Sequence, residues 1–200
     1  MDHDMIELAF ALEGRVVPRD YRLRLCEALQ RVLPWLADTA GAGVHRLKLV
    51  VGGDGELLVS PRTRLVLRLP RARAEAALAL TGAELQLGEY RLCAAQSRAR
   101  ELLAYGTLYA PLVVTGDADE TSVDARLRKE LAALDVAAPP ICGRWQSLEG
   151  GLLAGCSVML AGLAREQSLR VLQAGLGPHR LLGCGLFVPH RSAAAVGAPA

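Results

Sequence analysis

Residues 5–12 (M-I-E-L-A-F-A-L) alternate in the period-2 manner of a strand. E-G-R at 13–15 is a turn, and P-R-D at 18–20 opens a helix with Asp20 as N-cap. Leu23, Cys26, Ala28, Leu29, Val32 and Leu33 then make one apolar helical face that stops at Pro34. Residues 44–51 (V-H-R-L-K-L-V-V) read as a second strand, and G-G-D-G at 52–55 as a hairpin-type turn. Residues 56–60 and 64–69 read as a strand broken at Pro61, a residue suited to an edge or bulge. Pro70 opens a second helix over 71–80. Residues 84–87 and 90–94 form a hairpin about Gly88 and Glu89.

The order β-α-β-β-α-β is the ferredoxin-like arrangement, which RNA-recognition domains also use. The second half repeats it. Residues 102–115 hold one long or two short strands, and residues 117–124 are polar, with Thr121 and Ser122 able to cap a helix to Leu134. A-A-P-P at 137–140 is a linker. Residues 141–148 and 152–161 form a hairpin about 149–151, followed by a helix over 164–174 and a last strand over 186–188. The expected fold class is therefore α+β, two ferredoxin-like units side by side. The expected domains are residues 1–97 and 98–190, divided near 96–100, with an Ala/Gly/Pro-rich disordered tail over 191–200.

Composition narrows the chemistry. The chain has 200 residues and a formal net charge of +2, so no uniformly basic surface is expected. Lys48 and Lys129 are the only lysines among 23 basic residues. A GC-rich genome would explain that bias, so the positions of the arginines carry the argument rather than their number. Five scattered cysteines form no C-x-x-C, which suggests neither a zinc site nor a disulfide framework. No apolar run approaches the ~20 residues of a membrane span, and the acidic start lacks the features of a signal peptide, so a cytoplasmic location is expected.

The loop after the last helix is the most distinctive stretch. It reads G-L-G-P-H-R-L-L-G-C-G over 175–185, with Gly175, Gly177, Gly183 and Gly185 flanking His179 and Arg180. Glycines can bring backbone N–H groups up to a phosphate. The alternative is a tight helix-to-strand connector.

Duplicated ferredoxin-like units ending in G-x-G-x5-G-x-G resemble the CRISPR-associated repeat-processing endoribonucleases, the sixth Cas protein, and most of all their small MYXAN-type subgroup. Four segments carry the resemblance: V-P-R-D-Y-R-L-R-L-C-E-A-L at 17–29, G-V-H-R-L at 43–47, S-P-R-T-R-L-V-L-R-L-P at 60–70, and S-L-R-V-L-Q-A-G-L-G-P-H-R-L-L-G-C-G-L-F-V-P at 168–189. The resemblance implies an enzyme that binds CRISPR repeat RNA as a hairpin and cuts once per repeat without a metal or other cofactor. The ribose 2′-OH would attack the adjacent phosphodiester, leaving a 2′,3′-cyclic phosphate and a 5′-OH. The product guide RNA and other Cas subunits of an interference complex are the implied partners, with no membrane.

In one place the chain departs from the family. Where the first-helix motif has the form P-x-D-H, with the His as base, this chain has Tyr21. A tyrosine with an ordinary pKa near ~10 is a poor base, though it can orient or donate. His45 matches the family's second His and is the remaining candidate base. The catalytic candidates are therefore His45 and Tyr21, and a copy that binds repeat RNA while cutting slowly or not at all is the alternative. A third reading is a ferredoxin-like assembly or small-molecule-binding protein with no RNA role. Candidate RNA contacts are the strand row Arg62, Arg64 and Arg68, the helix cations Arg126 and Lys129, and Arg144, His179 and Arg180 from the second unit, with the four loop glycines. For the helix cations the rival is a solvated face beside Asp124 and Glu130. His3 and His190 receive no role.

Overall fold

In the computed structural model, which describes residues 4–53, 56–116 and 119–190, the alternation of the first strand builds a one-sided sheet. Strand β1 (Met5–Glu13) buries Ile6, Leu8, Phe10 and Leu12 in the core of the first unit and turns Glu7 to the opposite face. After β2 (Val16–Pro18), helix α1 (Tyr21–Val32) buries Tyr21, Leu25, Ala28 and Leu29, one stripe at helical spacing, against that core. Asp20 holds the N-cap position, but its carboxylate accepts from Arg24 one turn on and does not cap the backbone.

The expected strand over 44–51 is corrected. It is two short ones, β3 (Gly43–Val44) and β4 (Val50–Val51), in different sheets. The main chain between them leaves the ladder after His45, whose N–H still donates to Val66 O. Strand β5 (Glu56–Leu58) pairs with β2 and β4 in a small three-stranded sheet. The turn expected at 52–55 lies partly outside the described residues, at 54–55. Strand β6 (Arg64–Pro70) pairs with both β1 and β3. The helix expected over 71–80 is only Ala74–Ala77 (α2), flanked by 3₁₀ turns. Strands β7 (Glu84–Leu87) and β8 (Tyr90–Glu101) complete the sheet, in the order β3-β6-β1-β8-β7. With β7 set aside this is the ferredoxin-like order.

The second unit follows the same plan more plainly. Strand β9 (Thr107–Val114), helix α3 (Glu120–Ala133), hairpin β10 (Ile141–Leu148) and β11 (Leu153–Ala161), helix α4 (Arg165–Ala174) and β12 (Val188–Pro189) give the sheet β10-β11-β9-β12. Val123, Leu127 and Leu131 of α3 and Val171 and Leu172 of α4 are buried. Asp119, not Thr121 or Ser122, caps α3, accepting from the Ser122 N–H at 2.8 Å. Residues 117–118 of the expected polar stretch, the tail over 191–200 and His3 lie outside the described residues.

The chain divides after Leu102, past the expected region, because β8 runs unbroken to Glu101. Arg180–Gly183 belongs to the first unit although the chain around it belongs to the second. Among the described residues no helix is long and apolar enough to cross a membrane.

Candidate functional site

Three segments separated in sequence meet in the first unit: the start of α1, residues 44–47, and Arg180–Gly183. Tyr21, Arg22, Leu25, Val44, His45, Arg46, Leu181 and Leu182 line one small pocket. Arg22 is buried, at 8% exposure, and its guanidinium donates from Nη1 to Leu182 O at 2.8 Å. Gly183 stands with φ +79 so close to its neighbours that a Cβ would come within 3.2 Å of Arg22 Nη1, Arg46 N and Val44 O. Only glycine fits that approach without displacing them.

Tyr21 is 5% exposed, and its hydroxyl accepts the Leu47 N–H at 3.1 Å. The phenol thus holds the chain where it has left the sheet. The His45 side chain is 13% exposed, with Nε2 2.9 Å from Glu7 Oε1. The approach is short but lies off the ring N–H axis, so Nε2 has no well-directed hydrogen bond. Glu7 also faces Arg68, whose Nε and Nη2 donate to the same oxygen at 3.2 and 2.6 Å. Glu7 and Arg68 are direct cross-strand partners on the face of the sheet away from α1.

Electrostatics follow from that cluster. Burial raises the Glu7 pKa, but His45 and Arg68 together outweigh it and bring the carboxyl down to about 2. Burial pushes the His45 pKa below its ordinary value, with Arg68 and Lys48 acting the same way and Glu7 opposing. Near neutral pH, Glu7 is a carboxylate, Arg68 its cation, and His45 a neutral imidazole.

The expected Arg62, Arg64 and Arg68 row is corrected. Arg68 is 1% exposed and held on Glu7, so it presents nothing to a phosphate. Arg62 and Arg64 are exposed, with Arg64 Nη1 donating to Pro61 O and Thr63 O. Arg180 sits with the first unit, not the second as expected. Arg144 and Lys129 are exposed in the second unit. Arg126 is tied at both ends, from Nε to Glu130 at 3.2 Å and from Nη1 to Thr115 O at 2.6 Å.

The phosphate cradle expected of the loop glycines is also corrected, because their N–H groups face inward. Gly175 donates to Val171 O, Gly183 to Arg180 O and Gly185 to Leu112 O, while Gly177 donates to the Glu130 carboxylate at 2.7 Å. A Cβ on Gly185 would fall 1.8 Å from Leu176 O. The glycines let the backbone fold onto the sheet. At the tip it is His179, exposed and at φ +65, that projects.

Sequence reasoning passed over Glu7 and Arg22, and read Glu130 only as part of a solvated helix face. For Glu7 a signal existed, a single charge inside a strand that is otherwise apolar up to its last residue. Among the described residues no three His, Cys, Asp or Glu side chains gather as a metal site.

Two ferredoxin-like units, the second carrying a glycine-rich segment that supplies residues 180–183 to the first, define a tandem ferredoxin-like protein. The chain belongs to the Cas6 family: the family model described as Cas6 Crispr matches residues 6–192. It is 35% identical over 194 residues to the CRISPR-associated endonuclease Cas6 of Myxococcus xanthus (strain DK1622), covering 96% of this chain and 84% of that protein. Its fold is shared with a solved CRISPR associated protein Cas6, with TM-score 0.65, 13% identity, and 94% and 99% of the two chains covered. A Cas6-related protein of Pyrococcus furiosus superposes with TM-score 0.60 at 15% identity, over 92% and 98% of the chains.

Proposed function

We propose that this protein binds CRISPR repeat RNA and cleaves the precursor transcript into guide RNAs, by a route that needs no metal. One observation carries the reading. Three of the four segments that resemble the repeat-processing enzymes converge on one pocket, around Tyr21, His45 and residues 181–183. Family membership and the 35% identity to a named Cas6 endonuclease support it.

In the proposed reaction His45 takes the proton of the ribose 2′-OH as that oxygen attacks the adjacent phosphorus. The P–O5′ bond breaks, the 5′-oxygen takes a proton from water, His45 returns its proton to solvent, and the ends are a 2′,3′-cyclic phosphate and a 5′-OH. A neutral, partly buried imidazole suits a base near neutral pH. In this reading Arg46, exposed and among the residues lining the pocket, offsets charge on the phosphorane. Tyr21 acts by holding the 44–47 segment. Arg62, Arg64, Lys129, Arg144, His179 and Arg180 supply the RNA contacts in this reading, and the loop glycines act through the shape of the loop. The guide RNA product and other Cas subunits are the proposed partners.

Incubating the protein with its repeat RNA in EDTA tests the reading. Cleavage should persist and leave a cyclic phosphate. Activity that EDTA abolishes and Mg²⁺ restores would overturn the metal-free route, and RNA binding without any cleavage would favour a non-catalytic binding subunit.

A further inference from the structure

We infer that Glu7 is the positioning residue of the active site, fixing His45 in the tautomer that leaves Nδ1 free to take a proton. The inference rests on His45 being the base. It comes from a contact between Glu7 in β1 and His45, the residue just after β3, that nothing in the motif segments pairs.

An imidazole can be a base only at the nitrogen that carries no proton, and the partner of the other nitrogen decides which one that is. Here Nε2 faces a carboxylate oxygen at 2.9 Å. A carboxylate accepts and cannot donate, so it favours the proton on Nε2 and the lone pair on Nδ1. The oxygen lies off the ring N–H axis, so the preference it sets is electrostatic and not that of a well-directed hydrogen bond. When Nδ1 takes the 2′-OH proton, the imidazolium carries its new charge beside Glu7.

Arg68 makes this arrangement durable. Its two donors on Glu7 Oε1 hold the carboxylate in place and keep it charged inside the protein. The same guanidinium opposes protonation of His45, as does Lys48 on the histidine's own segment. Glu7 from β1, Arg68 from β6 and Lys48 are the charged groups that act on the ring, with one anion against two cations. That balance keeps the resting imidazole neutral and ready to accept.

The neighbours therefore act on His45 in opposite directions, a signature that packing alone would not produce. In single-turnover cleavage of repeat RNA by the full chain, Glu7→Gln should lower the plateau rate by about 10²–10⁴-fold, the scale of a positioned base and of its tautomer. Its acidic limb should move to lower pH, with RNA affinity unchanged. Arg68→Met should move that limb to higher pH. Unshifted or parallel limbs would overturn the role. If Arg68→Met does not fold, ¹⁵N spectra of the histidine rings in the unsubstituted protein decide, with His45 assigned by loss of its signals in His45→Asn. The Nε2–H tautomer supports the inference, and the Nδ1–H tautomer overturns it. His45→Ala separates the two levels. Undiminished cleavage there removes the base assignment and Glu7's role with it. A slow His45→Ala beside a Glu7→Gln of normal rate and profile removes Glu7's role alone.

Discussion

Tyr21 and His45, the two catalytic candidates of the sequence, have different surroundings. Tyr21 is the buried acceptor for Leu47 N–H. Tyr21→Phe leaves that N–H without this acceptor, so it should lower stability by about 1–3 kcal/mol in urea unfolding. It should slow cleavage less than His45→Ala, which removes the proposed base and should lower the rate by about 10²–10⁴-fold with little change in RNA affinity. Equal losses in the two variants would return Tyr21 to the chemistry. The Glu7 and His45 shifts also set how stability depends on pH. Glu7 folds with a pKa of about 2, below its unfolded value, so its contribution is present above the ordinary carboxylate range and is lost as pH falls toward 2. His45 folds with a lowered pKa, so protons favour the unfolded chain once pH drops below the ordinary imidazole value of ~6.5. Both terms have the same sign. The urea midpoint should fall steadily from pH 7 to pH 4, and a flat profile would contradict the burial of this cluster.

At the scale of elements, the glycine loop is a piece of packing. Gly185→Ala would set a methyl 1.8 Å from Leu176 O at φ +67, whereas Gly162, at φ +70, has nothing within 4 Å of its Cβ position. Gly162→Ala should therefore cost only the backbone strain, of order 1 kcal/mol, and Gly185→Ala considerably more. Thermal unfolding of both variants checks this, and similar melting temperatures would mean that the close approach is not there. Gly177→Val belongs with Gly185, because its Cβ would meet Val114 O at 2.9 Å. Any loss of RNA binding in that variant should thus accompany a loss of stability. Helix α3 takes part in the same packing, through the Glu130 carboxylate on Gly177 N–H.

Across the whole molecule the net charge is only +2, so RNA affinity has to come from where the exposed cations sit. Lys129 and Arg144 are exposed, and neither lines the pocket around Tyr21 and His45. Lys129→Ala and Arg144→Ala should each reduce the slope of log Kd against log salt for repeat RNA by about 1, if each contacts one phosphate. They should leave the cleavage rate of bound RNA unchanged. A slope equal to that of the unsubstituted protein would remove the residue from the interface.

Much of the fold was legible because strand and helix periods are local properties. Residues 5–12 alternate, α1 repeats its apolar stripe, and the second unit's six elements appear in the expected order. The sequence also marked the segments that meet at the pocket, since Tyr21, His45 and the glycines stand out in one dimension. Where local pattern misled, a tertiary demand had won. The stretch over 44–51 looked like one strand, but the chain leaves β6 after His45 and its end joins a different sheet. Arg68 had the parity of an exposed row. Parity tells which residues share a face and not whether that face is solvated, and here a carboxylate 61 positions away in sequence keeps the guanidinium inside. By itself the sequence determined the two ferredoxin-like units, the family and the residues that could do the chemistry. Tertiary structure alone decided that Glu7 and Arg68 lie opposite each other beside His45, and that the loop's amides point inward. Strand register and burial are set by the whole packed chain, so no local pattern encodes them.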